Sequence, residues 1–388
     1  MDSIKDSTAI VGVGVVDFST SIGRSEWDTS SQCVMNAIED AGLKPSDIDC
    51  LVKNIDDAPD NSYIQKSVGI ENLTYASESH WGTSAMINAV TAVASGSVNF
   101  AVYYQAAHRA SGLEKSYSDY RAARDIREDN LDMIRHDFYD PFGLIGQPSC
   151  FALTLRRYMH EFGITSEQLG WIPVVFSEYA ARNPEAIFYD HPVTIEDYMN
   201  SKFIADPIRE IDCAPKVDGA MAIVVTTTEK AKGLRQPPAV IMSAAQGTDI
   251  EGQLFSSYNQ KVITKLPEMQ RMGDELFRVA GITPNDIRSV QLDDTFTPLV
   301  AMQLEALDFC SRGEGAAFCE GGDRIRIGGQ LPLNTAGGNF GNGRMDIARI
   351  VEAVRQIRRT AVNQVENADL VLVASGAGGP ADGLILRR

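Results

Sequence analysis

The chain has no cysteine between Cys50 and Cys150 and no histidine after His191. Its six cysteines, Cys33, Cys50, Cys150, Cys213, Cys310 and Cys319, include no CxxC pair. Neither a zinc ribbon nor a redox dithiol is indicated, and no metal site is expected. Scattered thiols in an acidic chain of this size fit a reducing cytoplasm. No apolar run approaches the roughly 20 residues that a membrane span needs. The opening MDSIKDSTAIVGVGVV has an acidic start, no basic n-region and no A-x-A site, which argues against a signal peptide. Positive charge is in deficit. Against 52 Asp and Glu there are 35 Lys and Arg, a net charge of −17. Such a field repels phosphate backbones and argues against a nucleic-acid partner. It keeps the chain soluble and would steer a more basic protein partner.

What is present is an ordinary globular composition, 44% hydrophobic and 22% charged over 388 residues. That length gives about two to three domain-sized units and a core that needs no covalent staple. A long-period repeat organises it. Residues 40–49 read DAGLKPSDID and residues 279–288 read VAGITPNDIR. In each copy a glycine, Gly42 or Gly281, closes a helix. A proline, Pro45 or Pro284, then opens a short helix with acidic residues in its first turn. A strand follows, from Cys50 to Asn54 or from Ser289 to Leu292. An apolar strand precedes each copy (AIVGVGVV from Ala9, AVIMSAA from Ala239). A helix and a Val-rich strand succeed it: 84–95 and 100–105 in the first copy, 347–359 and 370–375 in the second. Each half is a βαβαβ unit with a buried central sheet. The first half is placed at 1–235 and the second at 236–388.

Between the repeats, at about 110–200, runs a polar region rich in Tyr, Asp and Arg. It reads either as a lid or partner surface or as a solvated helical excursion. Within it FALTLRRYMHEF, residues 151–162, has helical spacing. Tyr103, Tyr104, Tyr117, Tyr120 and Tyr139 read as the lining of an apolar pocket or as packing.

Four motifs carry a resemblance: VDGAMAIVVTT at 217–227, DDTFTPL at 293–299, LPLNTAGGNFGNG at 331–343 and SGAGGPADG at 375–383. They resemble the Asp-Gly-Ala-Ala turn, the Asn/His-Asp-Ala-Phe motif, the Asn-x-x-Gly-Gly loop and the C-terminal glycine-rich loop of the thiolase superfamily. AIVGVGVVDFSTSIGRSE, PVTIEDYMNSKFIADPIREIDCAPKVDGA, FTPLVAMQLEALDFCSRGEG and EAVRQIR extend the likeness over nearly the whole chain. They point to sterol-carrier-protein-type thiolases and, within them, to lipid-transfer-protein-like aldolases of bacterial steroid side-chain degradation. The resemblance implies a thiolase fold, two similar halves in a layered αβαβα core with an inserted loop domain. It implies retro-aldol cleavage of a bulky hydrophobic β-hydroxyacyl-CoA to a ketone and a shorter acyl-CoA. A CoA thioester is then the substrate and no cofactor is bound. A homodimer with a small OB-fold and zinc-ribbon partner protein is implied as well. Two other readings stand beside it: a noncatalytic subunit of a heteromeric CoA-thioester complex, and a cysteine-independent acyltransferase or hydrolase.

Thiolase chemistry needs an activated thiolate at the start of the first half's helix. Here that stretch reads SESHWGTSA, and the position falls at Ser79, or at Thr83 if one helical turn is missing. Each hydroxyl is read as an N-cap beside its reading as a nucleophile. His80 reads as a donor or acid/base, or as a ring packed under Trp81. The family's second-half histidines give way to Asp293-Asp294 and to Arg344, with Asp346 two residues on. The same two positions are where the related aldolases carry tyrosines. The family's third catalytic cysteine falls at Ser375. A retro-aldol reaction needs a base for the β-hydroxyl, an acid for the enolate carbon and donors for the enolate. Asp293 or Asp294 is the candidate base, with a pKa raised by burial or by the neighbouring carboxylate. Arg344 is a candidate enolate stabiliser or CoA-phosphate ligand. The alternative is an ion pair of Arg344 with Asp293 or Asp294 that fills the vacated space. Asn334, Gly337 and Gly338 are expected to shape a loop against the ligand, and Gly378 to offer a backbone donor.

Overall fold

The computed structural model describes residues 4–54, 59–79, 83–111, 139–144, 146–250, 260–376 and 379–388. His80, Trp81, Tyr117, Tyr120 and Gly378 lie outside the described residues, as does most of the polar part of the insertion.

Eleven strands are described: β1 (Thr8–Ser19), β2 (Cys50–Asn54), β3 (Tyr75–Ser79), β4 (Phe100–His108), β5 (Phe203–Ala205), β6 (Ile208–Arg209), β7 (Asp218–Thr227), β8 (Ala239–Gly247), β9 (Ser289–Gln291), β10 (Leu370–Ser375) and β11 (Ala381–Arg387). Seven helices matter for the site: α1 (Glu26–Ala41), α2 (Ser84–Ala94), α3 (Gly146–Phe162), α4 (Ser166–Arg182), α5 (Pro267–Ala280), α6 (Leu299–Ala306) and α7 (Asp346–Arg358). Strand order is β3-β2-β4-β7-β1-β8-β11-β10-β9, with β5 and β6 a separate pair.

The repeat governs this order. In the first half β2 runs parallel to β4, and β7 and β1 follow antiparallel. In the second, β9 runs parallel to β10, and β11 and β8 follow antiparallel. A parallel bridge between Val290 and Leu333 stands where β3 flanks β2. The halves join where β1 pairs with β8 over Thr8–Ile241, Ala9–Val240 and Ile10–Ala239. Gly42 ends α1 at φ 76° and Gly281 ends α5 at φ 73°, the left-handed conformation that a side chain resists. Pro45–Asp47 and Pro284–Asp286 then form matching 3-10 turns. The closing antiparallel strand β11 is an element that the repeat reading did not include.

Three cores alternate with the sheet faces. Ala9, Val11, Leu51, Val102 and Val224 pack with Val34, Ala37 and Ile38 of α1. Their neighbours Ile10, Val52, Tyr103 and Ile223 turn the other way. They meet Met86 and Val90 of α2, Ile350 and Val354 of α7, and Ile241, Val371 and Leu384 of the second half. Leu372, Ala374 and Ile385 face outward again, onto α3 to α6. Strands with apolar residues on both faces are thereby buried twice over. The layers run helix, sheet, helix, sheet, helix, with α2 and α7 in the middle. Among the described residues, no helix is long and apolar enough to cross a membrane.

Tyr103 and Tyr104 belong to this packing and not to a pocket lining, since both are fully buried. The Tyr104 hydroxyl lies 2.8 Å from Asn61 Oδ1 and 3.0 Å from the Pro59 carbonyl.

Candidate active site

Asp293 and Asp294 follow β9 after Leu292, where the chain leaves the sheet. Asp293 folds back on its own turn. Its Oδ1 accepts the Thr295 N–H at 2.9 Å and the Thr295 hydroxyl at 2.8 Å. Its backbone is clamped by Gln303 of α6, which accepts from the Asp293 N–H at 3.2 Å and donates to its carbonyl at 2.5 Å. Asp294 points to the glycine-rich loop, and its Oδ2 accepts the Asn339 N–H at 2.8 Å. The Asn339 side-chain amide also donates to the Asp294 carbonyl.

The loop is held to β9 by Asn334. Its side chain mimics a strand neighbour, accepting from the Leu292 N–H at 2.7 Å and donating to the Leu292 carbonyl at 3.0 Å. Gly337 and Gly338 follow at φ 103° and 53°. A Cβ on Gly338 would lie 2.1 Å from Asp294 Oδ2. Glycine here is what lets the backbone close over the carboxylate.

The cation of the site is Arg349, on the first turn of α7. Its Nη2 donates to Ser375 Oγ at 2.7 Å and to Asp346. Its Nη1 stands 3.9 Å from Asp293 Oδ1. Asp346 also accepts from the Ser375 hydroxyl at 3.2 Å. An ion pair of Arg344 with the aspartates does not form. The Arg344 guanidinium instead donates to Gln147 of α3 at 3.3 Å, and its carbonyl accepts from Arg109 at 2.8 Å. Arg344 precedes α7 and is turned toward the insertion, whereas Arg349 lies one helical turn inside and points to the strand ends.

Electrostatics divides the two aspartates. Burial raises the pKa of Asp293, but Arg349, the Thr295 N–H and hydroxyl, and Arg344 outweigh it and hold the carboxyl below the usual carboxylate range. For Asp294 burial wins over Arg349 and the Asn339 N–H, and with the repulsion of Asp293 it pushes the group up to about 7. The expectation of a raised pKa therefore applies to Asp294 and fails for Asp293, because the cation and donors sit on Asp293.

At the first half's end of the site, Ser79 closes β3, and its Oγ accepts from Asn88 at 2.7 Å. It caps no helix. Thr83 holds the position before α2, but its hydroxyl makes no cap bond. That hydroxyl is buried and unpartnered among the described residues. Cys213 approaches through a bridge to Phe296. Burial, with Asp212 and Glu210, pushes its thiol up to about 12, so it supplies no thiolate.

Sequence reading missed Arg349 and Asp382. Arg349 was signalled only by its spacing of three from Asp346, which sets both on one helix face. Asp382, fully buried opposite Ser375, is an acid in a last strand that is otherwise apolar up to Leu386, a pattern that marks a buried polar group.

The family described as thiolase C-terminal domain-like matches residues 253–384. Over 100% of the chain and 99% of the relative, the sequence is 40% identical to the steroid side-chain-cleaving aldolase of Thermomonospora curvata. It is 39% identical to the 17-hydroxy-3-oxo-4-pregnene-20-carboxyl-CoA lyase of Mycobacterium tuberculosis, over 99% and 100%. The solved Ltp2-ChsH2(DUF35) aldolase superposes with a TM-score of 0.91 at 40% identity, covering 99% of this chain and 98% of that one. The human mitochondrial 3-ketoacyl-CoA thiolase shares the fold, with a TM-score of 0.68 at 14% identity and 99% coverage of both chains. By fold, motifs and full-length identity, the chain belongs to the thiolase superfamily, in the branch that holds the steroid side-chain-cleaving aldolases.

Proposed function

We propose that this chain is the thiolase-fold subunit of a cytoplasmic carbon–carbon lyase. It cleaves a bulky, hydrophobic β-hydroxyacyl-CoA of the steroid side-chain type to a ketone and a shorter acyl-CoA. The observation that carries the reading is the 40% identity to an aldolase along the entire chain. The site supports it by what it offers in place of a thiolate: two adjacent carboxyls with separated pKa values and a buried guanidinium.

In the retro-aldol direction the β-hydroxyl proton leaves, the Cα–Cβ bond breaks, and its electron pair moves into the thioester as an enolate. The ketone departs, and a proton adds to Cα. Asp293 and Asp294 act as a unit that accepts the hydroxyl proton near neutral pH, where a base is best matched to its task. Asn334, Gly337 and Gly338 hold that unit in place. Arg344, on the insertion side, is assigned to the CoA phosphates. Ser79, Thr83 and Asp346 border the thioester, and His80, Trp81 and Gly378 are assigned to the same pocket. The two halves, 1–235 and 236–388, each supply one wall.

The assembly is a homodimer with a DUF35-type OB-fold and zinc-ribbon partner. Two features support it: the partner named in the superposed aldolase, and the edge strand β3, whose Tyr75 is 40% exposed. A strand edge of this kind is a ready template for pairing.

The test is turnover. The chain, purified with and without its DUF35 partner, is given a steroid 17-hydroxy-20-carboxyl-CoA. Release of the 17-ketone and a short acyl-CoA, collapsing in Asp293→Asn or Asp294→Asn, is expected. A stable complex without turnover on several such thioesters would favour the noncatalytic reading.

A further inference from the structure

Helix α7 carries Asp346 and Arg349, the carboxyl and guanidinium at the centre of the site, but no side chain of its own caps its first turn. Met345 stands at the N-cap and makes no side-chain cap bond. Asp346, the acid of the first turn, directs its carboxylate to Ser375 and Arg349 instead. The opening N–H groups of a helix have no partner within it, so a buried helix start draws an acceptor from elsewhere.

The first half supplies that acceptor. Gln105, fully buried on β4, takes the Ile347 N–H on its side-chain oxygen at 3.1 Å. The two residues are 242 positions apart in the chain. Alternation along the strand explains the reach. Gln105 shares a face with Ala101, Tyr103 and Ala107, and that face meets the middle layer where α7 lies. An amide side chain in the buried run FAVYYQAAH is costly there unless it finds a partner.

The same segment is held at two further points. Arg109, the residue after β4, donates to the Arg344 carbonyl at 2.8 Å. Gly343 lies so close to the first half that a Cβ would stand 2.6 Å from Val217 Cγ2 and 2.9 Å from the Pro215 carbonyl oxygen. Residues 343, 344 and 347 of the second half are thus all anchored on the first. Arg349 follows directly, with Nη1 3.9 Å from Asp293 Oδ1. A small slide or rotation of α7 changes that separation, and the attraction changes with it.

We propose that Gln105 and Arg109 are positioning residues for the cleavage step: from the first half they set the start of α7, and with it the place of Arg349 against Asp293. This rests on the lyase reading and deepens it, by naming residues that act on the carboxyl pair through α7. Arg349 favours the ionised form of both Asp293 and Asp294 against burial. Arg344 adds to it at Asp293, and Asp293 opposes it at Asp294. When α7 shifts, the pair loses the support of Arg349 and titrates at higher pH. The acid limb of kcat then moves up together with the fall in rate.

Gln105→Met keeps the bulk and removes the acceptor, whereas Gln105→Glu keeps an acceptor. Variants are assayed as the complex with the DUF35 partner on a steroid 17-hydroxy-20-carboxyl-CoA, with thermal melts to certify folding. In Gln105→Met, kcat should fall by about 10²-fold, the scale of an ångström of misplacement. KM should stay, and the acid limb should move to higher pH. Gln105→Glu should recover most of the rate. Arg109→Met should lower kcat with KM kept, and Arg109→Lys, which retains a donor, should restore it. This second pair decides the matter if Gln105→Met does not fold. Folded Gln105→Met and Arg109→Met enzymes with the parental kcat and acid limb overturn the proposal and leave the lyase reading standing. So does a loss carried by KM alone, the mark of residues that bind substrate and do not place α7. Absence of cleavage by the parent overturns both.

Discussion

Arg349 faces Asp293 at the strand ends of the second half, with Nη1 3.9 Å from Oδ1, and it is the guanidinium around which Asp346, Ser375 and both site aspartates are arranged. Arg344, five residues earlier, lies on the far side of the helix start and reaches α3. The two arginines should therefore behave differently.

Arg349→Met would leave Asp293 and Asp346 buried without their cation. Removing one partner of a buried pair costs about 3–5 kcal/mol. Arg344→Ala, a half-exposed change with one 3.3 Å contact, should stay within about 0.5 kcal/mol. Urea unfolding midpoints of the two variants check this. Equal losses would mean that Arg349 is not the organising charge.

Asp294 gives the site a pH signature. Its folded value, about 7, lies above the ordinary 3.8. The stability it contributes is fully present below the unfolded value and is lost as pH rises through about 7. Asp294→Asn should accordingly gain thermal stability relative to the parent as pH goes from 4 to 8. In the parent the same titration should set the acid limb of turnover, since the pair must be ionised to accept a proton. Parallel melting curves at both pH values would contradict the assignment.

Asn334 tunes that limb. Its side-chain hydrogen bond favours the Asp294 carboxylate. Asn334→Asp keeps an acceptor for the Leu292 N–H but exchanges a donor for a second negative charge. The acid limb of the kcat profile should shift upward, with the fold kept; a downward shift or none would count against the contact.

Gly338→Ala tests the closure of the loop. A Cβ there meets Asp294 Oδ2 at 2.1 Å, at a φ of 53°. Strain of about 1–3 kcal/mol is expected, together with loss of turnover, because the carboxylate must move. Gly233→Ala, where the nearest atom is 3.9 Å away, serves as a neutral control. A Gly338→Ala enzyme with parental kcat would show that Asp294 need not stay where it is.

The sequence by itself determined the repeat, and with it most of the fold. The paired Ala-Gly-x-x-Pro segments predict helix ends at Gly42 and Gly281 and short helices opening at Pro45 and Pro284, which the structure shows as left-handed caps and 3-10 turns. These are local choices, made by a missing Cβ and a fixed proline φ, and they need no distant partner. The absence of a cysteine between Cys50 and Cys150 and of histidine in the second half is likewise a property of the chain alone, as is the presence of Asp293-Asp294 and Asn334 in two separate motifs. Tertiary structure decided which arginine and which carboxyl matter. Arg344 and Arg349 are alike in composition, and only the start of α7 and its winding send one toward solvent and the other inward. Asp293 and Asp294 are neighbours with opposite shifts because both are desolvated, and Arg349 with the Thr295 donors outweighs burial at Asp293 but the Asn339 and Asn334 donors do not at Asp294. Asp382 lies far along the chain from Asp293. Only the pairing of β8, β11 and β10 sets it between Gln246 and Ser375, and burial, with Asp346 nearby, raises its carboxyl to about 8. Electrostatic character depends on what surrounds a group, and that is set by the fold's long-range contacts, not by its sequence neighbours.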